Sequence, residues 1–208
     1  MGYPSTEHPL EHASERPPDP VTVASGSWFE AVCGASGLGL AVFGMLGNHP
    51  ALMAAIATIL VGFGMFAQAG TIAARSRQAS ERDELVGISI DLVAGVAGFA
   101  LGVLVLLRVV PLAWLPLAAM ALGAGLLFAG PAELADPNAA TTRFRAWSLA
   151  AMMLAGLAAI VLALLAFTAV QPFATLSLAA VGCVGAGLIL AGGGTLTTLR
   201  RTSSDGES

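Results

Sequence analysis

The chain has 208 residues, of which 56% are hydrophobic and only 11% are charged. A soluble domain carries about a quarter charged residues, so this chain could not cover its own surface in water, which excludes a soluble globular fold. The net charge of −4 and the lack of a basic stripe predict that nucleic acid is not a partner.

The first 27 residues differ in composition from the rest of the chain. They combine five prolines with Glu7, Glu11, Glu15 and Asp19, and such a mixture cannot bury enough apolar surface to fold. We therefore predict a disordered cytoplasmic tail over residues 1–27. Its acidic start, without an early apolar run, also argues against a signal peptide.

Six apolar runs follow the tail, and each is long enough to cross a hydrocarbon core of about 30 Å at about 1.5 Å per helical residue. Proline opens a helix well, so Pro50, Pro111 and Pro172 each predict the start of a returning helix after a tight turn. The predicted fold is all-α, with a six-helix transmembrane domain over residues 28–199 and a cytoplasmic tail over 200–208. The predicted spans are residues 28–47, 51–74, 86–108, 112–132, 146–170 and 173–199.

The positions of the arginines predict the orientation, because cytoplasmic loops carry an excess of basic residues. Eight of the nine basic residues lie in the tails or between the predicted hairpins, and only Arg108 lies on the opposite side. We therefore predict a multi-pass protein of the bacterial inner membrane with both termini in the cytoplasm. Its predicted partners are the lipid bilayer and either a second copy of the chain or another membrane protein.

A period near 61 residues runs through the chain. The three turn prolines keep this spacing, and so do several sets of small residues. Self-similarity at a fixed period indicates a duplicated unit, and we assign the repeats to residues 28–80, 84–138 and 143–199. Because each unit holds two spans, the three are parallel repeats that enter the membrane from the same side. We expect them to surround a pseudo-threefold axis; hairpins packed side by side without closing are the alternative.

Small residues at equivalent places in the three copies predict where helices meet, because helices in lipid associate largely through close backbone contact at such residues. On the odd-numbered helices the set lies on one face, at i, i+3 and i+7, and a similar set lies on the even-numbered helices. An oligomer interface or a pore lining is the alternative use. The predicted packing residues are Gly34, Gly37, Gly95, Gly98, Gly102 and Gly156, together with Gly62, Gly123 and Gly185.

Glu30 and Asp91 form the candidate ion or proton site, because an ionisable residue in a span is a functional candidate. Each precedes its turn proline by 20 residues, about 30 Å of helix, so each lies near the cytoplasmic boundary. The third copy has Met152 at this place. We expect each carboxylate to face water or to pair with an arginine. The alternative is that the two lie close together near the axis and bind a proton or a cation.

The hairpin unit combines a glycine-spaced apolar helix, a turn proline and a second glycine-spaced helix. Residues 37–46 read GLGLAVFGML and residues 61–70 read VGFGMFAQAG, and residues 122–130 and 184–192 continue the pattern. Over residues 28–199 this resembles the repeat of the HdeD-like small membrane proteins, a family named for acid resistance. The resemblance implies six spans and a stress-linked role in the envelope. It supplies no catalytic residues, and the long acidic tail departs from the family pattern.

No motif of a hydrolase, a zinc protease or a phosphate-binding loop occurs in the sequence. We therefore expect a protein that is not an enzyme and that uses no cofactor and no metal. The first hypothesis is a non-enzymatic HdeD-like inner-membrane protein with a structural, stress-related or accessory role. The alternative is a small transporter or channel with a pathway along the repeat axis, lined by polar side chains such as Thr58, Gln68, Thr168 and Ser177.

Overall fold

The computed structural model describes residues 20–76, 82–134, 143–168 and 173–205, and in these ranges the chain is all-helical. A 3₁₀ turn, Leu112–Trp114, precedes the fourth α-helix. The α-helices are α1 (Pro20–Met45), α2 (Pro50–Ser76), α3 (Arg82–Leu106), α4 (Leu115–Leu134), α5 (Arg143–Thr168) and α6 (Phe173–Asp205).

Within the described residues, five helical segments are long and apolar enough to cross a membrane, which is consistent with a multi-pass membrane protein. The apolar part of α3, Ile90–Leu106, is shorter than these segments. The five segments are Ser27–Met45, Pro50–Gly70, Leu112–Ala129, Trp147–Thr168 and Ala174–Gly193.

The first and last helices extend beyond the predicted spans. α1 begins at Pro20 rather than at residue 28, and α6 continues to Asp205 rather than ending at residue 199. Residues 20–27 and 200–205 are therefore helical, where the sequence predicted tails, because a helix that an apolar segment has nucleated extends at little cost. The disorder predicted for residues 1–19 lies outside the described residues.

The turn between α1 and α2 has the predicted position. Gly47 adopts a φ of +96°, and its N–H donates to the carbonyl oxygen of Gly44 at 3.1 Å. This left-handed cap suits glycine, which has no Cβ to clash. α2 then begins at Pro50, as predicted. The turn predicted at Pro172 lies outside the described residues.

The turn after α3 uses the same type of cap with a different residue. Arg108 adopts a φ of +57°, and its N–H donates to the carbonyl oxygen of Val105 at 3.0 Å. The N–H of Val109 donates to the carbonyl oxygen of Leu104 at 2.9 Å. These two bonds are those of a Schellman motif, in which the left-handed residue is usually glycine. We call the end of the bundle that holds both described turns the turn end.

The six helices form a closed ring. Each helix packs against the next one in the chain, and α6 packs against α1. The even-numbered helices α2, α4 and α6 also contact one another, so they form the centre of the ring. Most of the largest fully buried side chains accordingly come from these three helices, namely Met65, Leu115, Leu122, Leu126, Leu178 and Leu188.

Three reciprocal glycine pairs bring neighbouring helix backbones together. A Cβ atom added to Gly34 would lie 2.6 Å from the carbonyl oxygen of Gly185, and one added to Gly185 would lie 2.8 Å from that of Gly34. Carbon and oxygen atoms do not approach so closely, so only glycine fits without moving a helix. The pairs are Gly34–Gly185 between α1 and α6, Gly62–Gly95 between α2 and α3, and Gly123–Gly156 between α4 and α5.

The remaining predicted packing glycines also lie at helix contacts. A Cβ atom added to Gly37 would lie 2.5 Å from Cγ2 of Val61, and one added to Gly98 would overlap the side chain of Leu122. These contacts lie inside a hairpin, between α1 and α2 and between α3 and α4. Gly102 instead faces α2, with its added Cβ 3.1 Å from the backbone nitrogen of Ile59.

Candidate functional site: the buried carboxylates

Glu30 and Asp91 lie inside the bundle, towards the end opposite the turn end. Each belongs to the first turn of an apolar stretch, Ser27–Met45 on α1 or Ile90–Leu106 on α3. Glu30 is 4% exposed and Asp91 is 1% exposed. Each therefore lies at the start of its apolar stretch, and that this end meets the cytoplasmic boundary stays a prediction. The expectation that the carboxylates face water is wrong, because neighbouring helices cover both side chains; pairing with an arginine stays a prediction.

A glycine on the next helix makes room beside each carboxylate-bearing residue. A Cβ atom added to Gly125 of α4 would lie 3.2 Å from Oδ1 of Asp91. Cε of Met65, on α2, lies 2.5 Å from the same Cβ position. Asp91 therefore lies where α2, α3 and α4 converge, and both of its carboxylate oxygens are buried.

The surroundings of Glu30 are built in a similar way. A Cβ atom added to Gly64 of α2 would lie 3.8 Å from the backbone carbonyl oxygen of Glu30 and 3.0 Å from Cβ of Cys33. The same position lies 3.2 Å from Cδ1 of Leu188, so α1, α2 and α6 converge there. Oε1 of Glu30 is buried.

Gln68 is a third buried polar side chain at this depth. It is 2% exposed and its Oε1 is buried. It follows Met65 by three residues on α2, so the two share a face of the helix, and that face points into the bundle. The sequence analysis considered Gln68 only as a pathway residue, because its burial depends on how the helices pack. We call Glu30, Gln68 and Asp91 the polar layer.

The polar layer belongs to the first two hairpins. At the place of Glu30 and Asp91 the third hairpin has Met152, which is 1% exposed, and at the place of Gln68 the second hairpin has the buried Ala129. A carboxylate surrounded by apolar helices is stable when it is protonated or when a cation is bound. Since hydrogen bonds or an ion pair also stabilise a buried carboxylate, holding a proton or a small cation is one chemistry that this arrangement allows.

A metal site of the usual kind is not formed by the residues that the structure describes, since no cluster of three or more His, Cys, Asp or Glu side chains occurs among them. Two carboxylates and an amide supply too few ligands for a dedicated divalent-cation cage.

The other residues predicted to line a pathway are divided between core and surface. Thr58 is buried and its Oγ1 donates to the carbonyl oxygen of Ala54 at 2.7 Å. Ser177 is also buried. Thr168 is exposed and donates to the carbonyl oxygen of Leu165 at 3.0 Å, so its hydroxyl serves its own helix.

The middle of the bundle is filled with apolar side chains. Val61, Leu122 and Val184, one from each even-numbered helix, are completely buried and belong to one continuous cluster. Next to them, Met65, Leu126 and Leu188 are completely buried as well.

Comparison with protein-family models, with curated protein sequences and with solved structures finds no match in any of the three.

Proposed function

We propose that the chain is a non-enzymatic HdeD-like protein of the bacterial inner membrane, with six spans, both termini in the cytoplasm and a structural, stress-related or accessory role. The observation that carries this proposal is a closed ring of helices in close glycine contact around an apolar centre. A transporter or channel needs a polar pathway, whereas a structural component needs a rigid packed interior.

The glycine contacts support three parallel repeats around a pseudo-threefold axis. Each reciprocal pair joins the first helix of one hairpin to the second helix of the preceding hairpin, and the pair between α1 and α6 completes the cycle. A second set of contacts at the centre follows the same cycle. In this set the Cβ position of Gly64 meets Leu188, that of Gly125 meets Met65 and that of Gly187 meets Leu126.

The residues of each contact follow those of the previous one by one period of the sequence, a pattern that supports a threefold axis. α3 serves as the sixth span on this proposal. Its apolar part of 17 residues covers about 25 Å, and α3 continues before this part to Arg82, which gives a helix long enough to cross the hydrocarbon core.

The stress-related role is tested by deleting the gene and measuring survival of an acid challenge. We expect the deletion strain to survive less well and the wild-type chain to restore survival, whereas a G62L variant should not, because leucine cannot fit between α2 and α3. Unchanged survival in the deletion strain would reject the stress role without affecting the fold.

The predicted orientation is tested by reporter fusions to either terminus. Both fusions should give a cytoplasmic signal, because eight of the nine basic residues lie on that side. A periplasmic signal from either terminus would contradict the orientation.

A second candidate function, proton or cation transport, is favoured by one observation: two carboxylates are buried among the spans. Purified protein in liposomes tests it through the flux of protons or sodium ions. The structural role predicts no flux above that of empty liposomes. A flux that D91N abolishes, and that the matched variant M152L leaves intact, would replace the first proposal by the second.

A further inference from the structure

The turn end of the bundle holds a cavity that the proposed function does not use. Its volume is about 610 Å³, and it lies between the turn after α1 and the turn after α3. His49 and Arg108 supply its polar side chains, and the rest of the lining is largely apolar.

The apolar wall of this cavity continues onto the outer surface of the bundle. Leu52, Leu106 and Val109 line the cavity and are also exposed on the outside, where acyl chains surround a membrane protein. Arg108 follows closely after Leu106, where the apolar stretch of α3 ends. Its guanidinium therefore lies at the level of the lipid headgroups.

Among the residues that the structure describes, no carboxylate lies at the turn end to compensate the charge of Arg108. Residues 31–80, 92–132 and 137–204 contain no Asp and no Glu, and the acidic residues within the described helices lie towards the end opposite the turn end. The acidic residue that precedes Arg108 on α3 is Asp91, about 25 Å away along the helix. The described part of the chain therefore supplies no anion near Arg108, and a bound molecule can supply one.

Arg108 also occupies a place that glycine fills more easily. It caps α3 with a φ of +57°, as Gly47 caps α1 with a φ of +96°, and this conformation strains every residue that has a Cβ. The positions one period away hold Gly47 and Ala169, so the cation is present at one turn only. Among the described residues two that are not glycine have a positive φ, Arg108 and His49 (φ +46°), and both line this cavity. Strained residues often mark functional sites.

We propose that this cavity binds one anionic phospholipid, with its phosphate on Arg108 and His49 and its acyl chains against Leu52, Leu106 and Val109. A guanidinium donates two parallel hydrogen bonds to phosphate oxygens, which makes arginine well suited to this contact. The inference depends on insertion into a membrane and not on the proposed stress-related role.

The test measures binding of phosphatidylglycerol and phosphatidylcholine to the purified full chain in an uncharged detergent, by native mass spectrometry. We expect phosphatidylglycerol to bind about tenfold more tightly than phosphatidylcholine, and R108G to remove most of that preference. Since glycine suits the capping conformation, R108G should remain folded, with a melting temperature no lower than that of the wild type. R108K keeps a positive charge and should retain part of the preference.

Two further variants locate the site. R143Q removes an arginine from the first residue of α5 and should leave phosphatidylglycerol binding unchanged. A51W fills the cavity while keeping Arg108, and should weaken binding about as much as R108G does. Binding that survives A51W would place the lipid elsewhere and overturn the proposal.

Inorganic phosphate distinguishes a lipid from a free anion. An equal concentration of phosphate should not displace phosphatidylglycerol, because phosphate cannot use the apolar wall. Complete displacement would identify a free-anion site and overturn the lipid assignment. Equal affinity for the two lipids, or an R108G variant with wild-type preference, would also overturn it.

Discussion

The middle of the bundle and the polar layer differ in whether equivalent positions of the three hairpins hold the same residue type. In the middle, the helix contacts use glycine in all three hairpins, at Gly34, Gly95 and Gly156 on the odd-numbered helices. In the polar layer, the equivalent residues are Glu30, Asp91 and Met152. The comparison indicates that close backbone contact requires glycine in each hairpin, whereas burial at the end of the bundle accepts a carboxylate in two hairpins and methionine in the third.

The largest effect is expected from placing a carboxylate in the third hairpin. Met152 is buried, so M152D removes a large apolar side chain and adds a group that is costly to bury. We expect a loss of at least about 3 kcal/mol in the free energy of unfolding, measured by denaturant titration in detergent micelles. M152L, which nearly conserves volume, is the control and should cost less than about 1.5 kcal/mol. Equal stability of the two variants would mean that all three hairpins accept a carboxylate.

A single added methyl group should have the next largest effect in the middle of the bundle. A Cβ atom at Gly62 would lie 2.6 Å from the backbone nitrogen of Phe99, so G62A forces α2 and α3 apart. We expect a loss of about 1–3 kcal/mol. Gly39 has nothing within 4 Å of its Cβ position, so the matched variant G39A should stabilise the chain by up to about 1 kcal/mol through helix propensity. If G62A were as stable as G39A, the close contact between α2 and α3 would be wrong.

The smallest effect is expected from D91N. Asparagine has nearly the shape of aspartate and carries no charge, so it avoids the cost of a buried charge. We expect the free energy of unfolding to change by less than about 1 kcal/mol, since asparagine fills the same space and keeps a hydrogen-bonding oxygen at this position. A loss well above this value would show that Asp91 holds the helices together.

The position of a residue along its helix could be predicted from the sequence. The direction in which its side chain points from the helix could not. Counting back from Pro50 and Pro111 placed Glu30 and Asp91 near one end of their spans, because every helical residue advances by the same distance. Whether these side chains face water or protein depends on which helices lie beside α1 and α3, and α6 is far away in the sequence.

The glycine contacts show the same limit. The spacing identified Gly34 and Gly185 as packing residues, because small residues are the main signal for helix contacts in lipid. It did not pair them with each other, and it left open whether such contacts lie inside a hairpin or between hairpins. The lipid-facing and the buried surfaces of this chain are both apolar. Hydrophobic periodicity therefore does not show which face of each helix points into the bundle.

The cavity at the turn end was not found from the sequence either. Arg108 was recognised as the one arginine on its side, but its cap conformation and its proximity to His49 depend on the two turns lying next to each other. Arg108 lies one period of 61 residues after Gly47, so it stands where the first hairpin has its capping glycine. This equivalence is the signal that could have indicated an unusual arginine.

The central claim is that the ring closes through contact between α1 and α6, and disulfide formation tests it most directly. Cβ of Ala41 lies 3.2 Å from the Cβ position of Gly182, close to the separation of about 3.8 Å found in disulfides. With Cys33 and Cys183 replaced by alanine, A41C/G182C should form a disulfide within one chain in the membrane, whereas A41C/G70C should not. Reduced A41C/G182C, or cross-links between two chains only, would contradict the closed ring.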